Sequence, residues 1–459
     1  MFKYETPTSL TTLDKTGNRL WLYPQAVWGY FTKRRMIASA FLIVIYLAMP
    51  WITINGLPMI QLDVGARQFT LFGNIYWPQD VKYLAFLVIA AGISLFFFTS
   101  IAGRIWCGWA CPQTVFLEFV FRKIETWLEG ERNAQIAFDK APWSMGKIAR
   151  KGFKHLIFLF IAAVVANTFL AYFVGVDKVM LWMTRPPVEN QTAFLFMLAN
   201  LVVFYFDFAW FREQFCAVVC PYARFQSALT DEQTLQVTYD YTRGEPRGRL
   251  NKAEGDCVDC AACVRVCPTG IDIRDGSQLE CIGCARCIDA CNEIMDRVSK
   301  PRHLVRYDSE ARLENREQHL IRPRVIIYAI LLVGLIVFFF WSVSTRPLVE
   351  FNILRPPGEP YTVLENGMVS NHLTLGIVNK DKQDHPIIVK MEGLSDAKLI
   401  IPVQPFPVPA NSVRRLEIFV NIDKGKMPSG KHPILIRLLS EERELAQSSV
   451  YIFGPLARK

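Results

Sequence analysis

No cysteine occurs after Cys291 in this 459-residue chain and none before Cys107; all twelve lie between those two positions. The last third therefore cannot be stapled by disulfides, and confining every thiol to one stretch indicates a single reducing compartment. The haem-attachment pattern C-x-x-C-H is also missing, which removes covalently bound haem from any redox reading. Histidine is scarce, at 6 residues, and apart from His155 these are scattered through polar segments where solvation accounts for them. The formal net charge is +9, yet no recognition helix or stacking motif accompanies the basic residues, which sit beside apolar runs. No nucleic-acid partner is expected, and membrane topology explains the charge better.

What the chain has in excess is apolar sequence: 51% of residues are hydrophobic and 13% aromatic. Runs near 36–54, 81–102, 155–176, 192–211 and 324–344 each approach the roughly 20 residues needed to cross about 30 Å of hydrocarbon. The sequence predicts five membrane helices. The first starts too far into the chain for a cleaved signal peptide, so it reads as a retained span. Residues 1–35 hold six Lys and Arg and residues 103–154 hold nine, whereas 55–80 hold only Arg67 and 177–191 only Lys178 and Arg185. The basic connections belong in the cytoplasm, and by parity everything after about residue 345 lies outside. All twelve cysteines then fall at or beyond the cytoplasmic face. Trp51, Trp77, Trp106 and Trp109 suit an aromatic belt. Asp207, an acid inside the fourth run, is a functional candidate by position, or else it pairs with an arginine such as Arg212. His155 reads as an interfacial packing residue or a ligand.

The expected organisation follows: a cytoplasmic tail over 1–35, a four-helix membrane region over 36–211, a soluble lobe over 212–323, a fifth helix over 324–344, a linker over 345–360 and a β-rich domain over 361–459. The lobe is nearly neutral and too small to be held by a hydrophobic core alone. Its segment 299–323 is charged and helix-permissive. Pro347, Pro356, Pro357 and Pro360 mark the linker. Beyond it, short β-rich runs begin near His372, His385, Lys398, Val413, His432 and Ser448, separated by turn residues. They predict an immunoglobulin-like β-sandwich without its usual disulfide and without a catalytic constellation.

The lobe carries the strongest signal. Cys257, Cys260, Cys263 and Cys267 follow C-x2-C-x2-C-x3-C with Pro268 next, and Cys281, Cys284, Cys287 and Cys291 repeat that spacing twenty-four residues later. This is the pattern of a ferredoxin with two [4Fe–4S] clusters, in which the fourth cysteine of each run serves the other cluster. The expected sets are Cys257, Cys260, Cys263 and Cys291 for one, and Cys281, Cys284, Cys287 and Cys267 for the other. Asn292 stands where the second run would carry proline. A structural zinc site would need four ligands rather than eight.

Two further pairs, Cys107 with Cys111 and Cys216 with Cys220, each form C-x3-C-P just beyond the second and fourth apolar runs. Spaced i and i+4, both thiols of a pair would share one helix face, and the helix should stop or kink at the proline. If the two helix ends meet, four thiolates converge at the membrane surface, a soft ligand set suited to Cu(I), to an iron–sulfur cluster or to zinc. The alternative is that they are small buried hydrophobes.

WCGWACPQTVFLEFVFRKIE, FREQFCAVVCPYARFQSALTDEQTLQVTYDYTRGEPRG and CPTGIDIRDGSQLECIGCARCIDAC, in this order, resemble the cytochrome c oxidase accessory proteins of the FixG or RdxA type, which serve assembly of cbb3-type oxidases. The likeness covers residues 20–345 by motif and the tail by architecture. W-C-G-W-x-C-P alone is also similar to membrane polyferredoxins of nitrate and nitrous oxide reduction. The resemblance implies a multi-pass protein of the bacterial inner membrane, with the ferredoxin domain cytoplasmic and the C-terminal domain periplasmic. It implies two [4Fe–4S] clusters and a role in reducing Cu(II) to Cu(I). Electrons would come from a cytoplasmic donor, and copper would pass to a transporter or chaperone and on to oxidase subunits. It places the membrane motifs on Cys107, Cys111, Cys216 and Cys220, as redox and copper-binding thiols. Two other readings remain open: a quinol-linked conduit to another reductase, and an assembly scaffold with structural clusters.

Overall fold

The structure is a computed structural model describing residues 19–455 except 250–253, Ser395, Pro428 and Glu442, and omitting the Ser227 side chain. The tail reading over residues 1–18 lies outside the described part. Among the described residues, five helices are long and apolar enough to cross a membrane: Tyr30–Trp51, Pro78–Ala102, Met145–Val174, Gln191–Phe211 and Pro323–Ser344. The chain divides into two compact units, one up to Phe339 and one from Phe340, so the fifth span passes from the first into the second.

Two spans start earlier than the apolar runs suggest. The first begins at Tyr30 instead of residue 36 and takes in Lys33, Arg34 and Arg35, because Arg35 is buried and its Nε donates to the Gly108 carbonyl at 2.8 Å. The third begins at Met145, capped by the Ser144 hydroxyl, which accepts from the Lys147 amide; Lys154 is buried beside Glu129 at 2.8 Å. A basic residue reads as a span boundary only if solvent receives its charge, and here carboxylates and carbonyls do.

Connections one-to-two and three-to-four lie together. The first contains a three-stranded meander, Ile60–Asp63, Gln68–Leu71 and Asn74–Tyr76, that the sequence reading missed. Lys178 Nζ, from the second connection, stands 3.2 Å from Asp63 Oδ2. The segment Pro112–Glu129 packs between spans three and four, with Phe121 stacked on Phe208 at 4.7 Å and edge-on to Phe158 at 4.9 Å. All three rings are buried.

The ferredoxin lobe is built on an antiparallel pair, Gln236–Tyr239 with Val305–Asp308, and the helix Arg286–Arg297. Val237, Ile271, Ile273, Ile288, Met295 and Leu304 form its core together with Cys257, Cys263 and Cys291. The charged, helix-permissive segment 299–323 forms little helix: Val305–Asp308 pairs as a strand because its alternating side chains close this core, and Glu310–Leu313 is helical.

From Phe340 the second unit is a two-sheet sandwich. One sheet runs Lys398–Ile400, Ser412–Asp423, Met368–Asn379, Val349–Leu354, and the other Phe406–Val408, His385–Glu392, Gly430–Ser440, Arg443–Gly454. Alternate residues such as Leu373, Leu375 and Ile377 face Ile434, Ile436 and Leu438 in one buried core. The linker expected over 345–360 is partly a strand, since Val349–Leu354 pairs with Asn379–Thr374 before Pro356 and Pro357 end it.

Candidate metal centres at the membrane face

Spans two and four end in the same backbone turn. Gly103 (φ 54, ψ −130) and Arg212 (φ 53, ψ −122) redirect the chain, and Cys107 and Cys216 each follow four residues later. Four residues further, Cys111 (φ −63, ψ 126) and Cys220 (φ −68, ψ 111) are extended and cap new helices, Pro112–Phe116 and Pro221–Leu229. The expected sharing of one helix face by each pair is therefore corrected. The expected stop at each proline is seen, since the turns Ile105–Trp109 and Phe215–Val219 end before it, and the proline also starts the next helix, because its missing N–H costs nothing at the first helical position and it forces the residue before it out of the α region.

The two pairs face each other. Burial, then the neighbouring thiols Cys111 and Cys220, pushes Cys107 up to about 11 despite the Gln226 amide. Cys216 is raised by burial and by all three other sulfurs. Gln226, on the helix that Cys220 caps, donates from Nε2 to Cys107 Sγ at 3.4 Å and so links the pairs. Among the described residues no three His, Cys, Asp or Glu side chains close on a single metal ion.

In the lobe, both cysteine runs use one backbone device. The residues flanking each second cysteine are left-handed, Asp259 (φ 52) and Ala261 (φ 53) around Cys260, Gly283 (φ 63) and Ala285 (φ 60) around Cys284. Such strained turns wrap three sulfurs around a central space. Cys267, Cys281, Cys284 and Cys287 line one cavity, Cys257, Cys260 and Cys291 line a second, and Cys263 borders both. Burial first, then the neighbouring sulfurs, pushes Cys263, Cys281 and Cys291 up to about 12. Thiols in such surroundings ionise only when a metal supplies positive charge, and four sulfur donors around each space fit a [4Fe–4S] cluster.

The lobe is docked on the membrane motifs without a gap. A β-carbon on Gly108, between Cys107 and Cys111, would meet the Ile282 carbonyl oxygen at 2.6 Å. One on Gly283 would meet Arg104 backbone at 3.2 Å. The Arg104 guanidinium donates both to the Leu279 carbonyl, just before Cys281, and to the Ala223 carbonyl, just after Cys220. Tyr307 donates to the Gly283 carbonyl at 2.6 Å and accepts from Trp109 Nε1 at 3.2 Å, so Trp109 serves this junction rather than an aromatic belt. Asp289, two residues after Cys287, accepts from the Phe31 and Thr32 amides at 3.1 and 2.7 Å and thereby caps the first span.

Beneath this lies a buried ionic network. Glu118 pairs with Arg122 and Arg286, Glu213 with Arg122 and Arg19, and Glu125 with Arg212. Arg122 also donates to the Pro268 carbonyl beside Cys267 at 3.2 Å. None of these pairings was read from the sequence, where the charges look like ordinary connection residues. Asp207 does not pair with the Arg212 side chain, which goes to Glu125; its carboxylate accepts from Gln113 Nε2 at 3.1 Å. His155 meets the Tyr205 hydroxyl at 2.9 Å and packs edge-on against Phe158, away from the cysteines.

Family comparisons match these parts. A 4Fe-4S dicluster domain covers residues 211–310, a 4Fe-4S binding domain covers 84–132, and the IG-like fold at the C-terminal of FixG covers 339–455. The 84–132 match contains Cys107 and Cys111. Protein RdxB of Cereibacter sphaeroides is 35% identical, over 93% of this chain and 94% of its own. Protein RdxA of the same organism is 34% identical, over 89% and 90%. Nitrogen fixation protein FixG of Rhizobium meliloti is 31% identical, over 95% and 94%. With five spans, a dicluster ferredoxin domain and a FixG-type IG-like domain in one chain, this is a membrane iron–sulfur electron-transfer protein that belongs to the FixG/Rdx family.

Proposed function

We propose that this protein reduces Cu(II) to Cu(I) for the maturation of a cbb3-type cytochrome c oxidase. The observation that carries this reading is the docking of the Ile282–Cys284 turn, whose Cys284 lines one cysteine-lined cavity, on Gly108, which lies between Cys107 and Cys111. Cys257, Cys260, Cys263 and Cys291 would hold one [4Fe–4S] cluster, and Cys267, Cys281, Cys284 and Cys287 the other. Each bound cluster supplies one-electron redox chemistry. Cys107, Cys111, Cys216 and Cys220 meet copper as substrate, since thiolates favour Cu(I) over harder cations. In this reading the protein sits in the bacterial inner membrane, with the lobe in the cytoplasm facing an electron donor and the IG-like domain in the periplasm. Copper then passes to a transporter or chaperone.

Changing Cys107, Cys111, Cys216 and Cys220 together to serine in anaerobically purified protein should leave the iron of two four-iron clusters in place and abolish copper binding and cupric reduction. Unchanged reduction overturns the copper assignment. The match of a 4Fe-4S binding domain to residues 84–132 favours a second reading, in which the four thiols hold a further cluster. Iron equivalent to a third four-iron cluster, lost in the same variant, would decide for it.

A further inference from the structure

A cavity of about 50 Å³ opens beside the N-terminal end of the first span, bounded by Trp28, Thr32, Arg35, Glu118, Arg122 and Arg286 among others. That is several times the roughly 10–15 Å³ a single water needs. Its buried charges do not balance. Arg122 is answered by Glu118 and Glu213, and Arg286 by Glu118 at 2.7 Å. Arg35 has no carboxylate within ion-pair distance among the described residues. It is 1% exposed, it spends Nε on the Gly108 carbonyl, and its Nη2 is buried without a hydrogen-bond partner. Arg35 lies 5.2 Å over the Phe119 ring and shares with Arg122 and Arg286 the field of Glu118; with three always-charged guanidiniums drawing on that one carboxylate and a buried Arg35 N–H left over, the site favours a further anion. Lys123 Nζ, also at the cavity, sits 5.1 Å over the Trp28 ring and adds positive charge at the mouth.

We infer that this cavity binds a phosphate oxyanion, the headgroup phosphate of an anionic phospholipid or free phosphate. Guanidinium groups match phosphate oxygens by paired donors. The cavity lies at the N-terminal end of a helix long and apolar enough to cross a membrane, and the Trp28 ring beside it is 61% exposed. The same Arg35 holds the Gly108 carbonyl, so an occupied site braces the junction between lobe and membrane motifs. The inference is independent of the copper reading.

The test uses the full-length holoprotein, stripped of lipid in detergent, with Trp28 fluorescence and thermal unfolding as readouts. Phosphatidylglycerol, phosphatidylcholine and inorganic phosphate are titrated separately. Saturable stabilisation by phosphatidylglycerol but not phosphatidylcholine identifies a lipid headgroup, and saturation by inorganic phosphate alone identifies the free ion. Arg35→Gln should weaken binding at least tenfold. Lys123→Ala, at an exposed position that leaves the fold intact, should weaken it several-fold and serves if the Arg35 variant does not fold. A response no larger than that to chloride, or equal binding by wild type and Lys123→Ala, overturns the inference and leaves a water-filled cavity.

Discussion

Gly108 and Cys284 are in backbone contact: a β-carbon on Gly108 would stand 2.9 Å from both the amide nitrogen and the Cα of Cys284. A membrane-motif residue thus touches a cluster-site cysteine through main chain, and no side chain can be inserted between them. Gly108→Ala should push the Ile282–Cys284 turn away at a cost of about 1–3 kcal/mol, the usual range for overpacking. Faster hydrogen exchange over 279–284 and slower cupric reduction, with iron content retained, are the expected results. Gly152→Ala, where nothing lies within 4 Å, should change neither.

Asp289→Ala removes the acceptor for the Phe31 and Thr32 amides. Loss of such a cap costs about 0.5–2 kcal/mol. Exchange at those two amides should rise while the IG-like domain melts unchanged.

The cysteine partition makes a spectroscopic forecast. Cys267→Ser should perturb the same paramagnetic signal as Cys284→Ser, although Cys267 lies in the other sequence run, because both border one cavity. Cys291→Ser should perturb the signal shared with Cys257.

Removing iron with a chelator under anaerobic conditions leaves thiols that resist ionisation, since burial and neighbouring sulfurs hold Cys263, Cys281 and Cys291 near 12. Cysteines are part of the lobe's core, so exchange across 257–297 should rise together, whereas the unit from Phe340, which has its own core, should keep its melting transition.

Acid should loosen the Glu118 network. Burial raises the Glu118 carboxyl, but Arg122, Arg286 and Arg35 outweigh it and hold it below the usual range. Its folded value lies under the unfolded value of about 4.3, so its contribution is complete above that pH and is lost as pH falls through the folded value. Thermal stability of wild type should fall in that acid window relative to neutral pH, and Glu118→Gln should remove this part of the dependence.

The cysteine groupings were legible because their spacing is local: eight cysteines in two runs and two C-x3-C-P pairs announce themselves within a few residues. The spans were legible as composition. Their starts were not, because Arg35 and Lys154 look like boundary charges until their buried partners are known. The junction was invisible for a different reason. Arg104 reaches Leu279 across 175 residues and leaves no periodic trace, and Gly108 reads as a small residue in a motif until the opposing backbone is seen. Val349–Leu354 was mistaken for linker because the surrounding prolines outweighed a six-residue alternation.

The cap on the first span is supplied from 258 residues downstream. During synthesis that helix must therefore wait in the bilayer without the Asp289 carboxylate on its leading amides until three further spans and the first cysteine run have emerged. The earliest segment to insert is thus locked only once the lobe has followed it, and a ribosome stalled before Asp289 leaves it open.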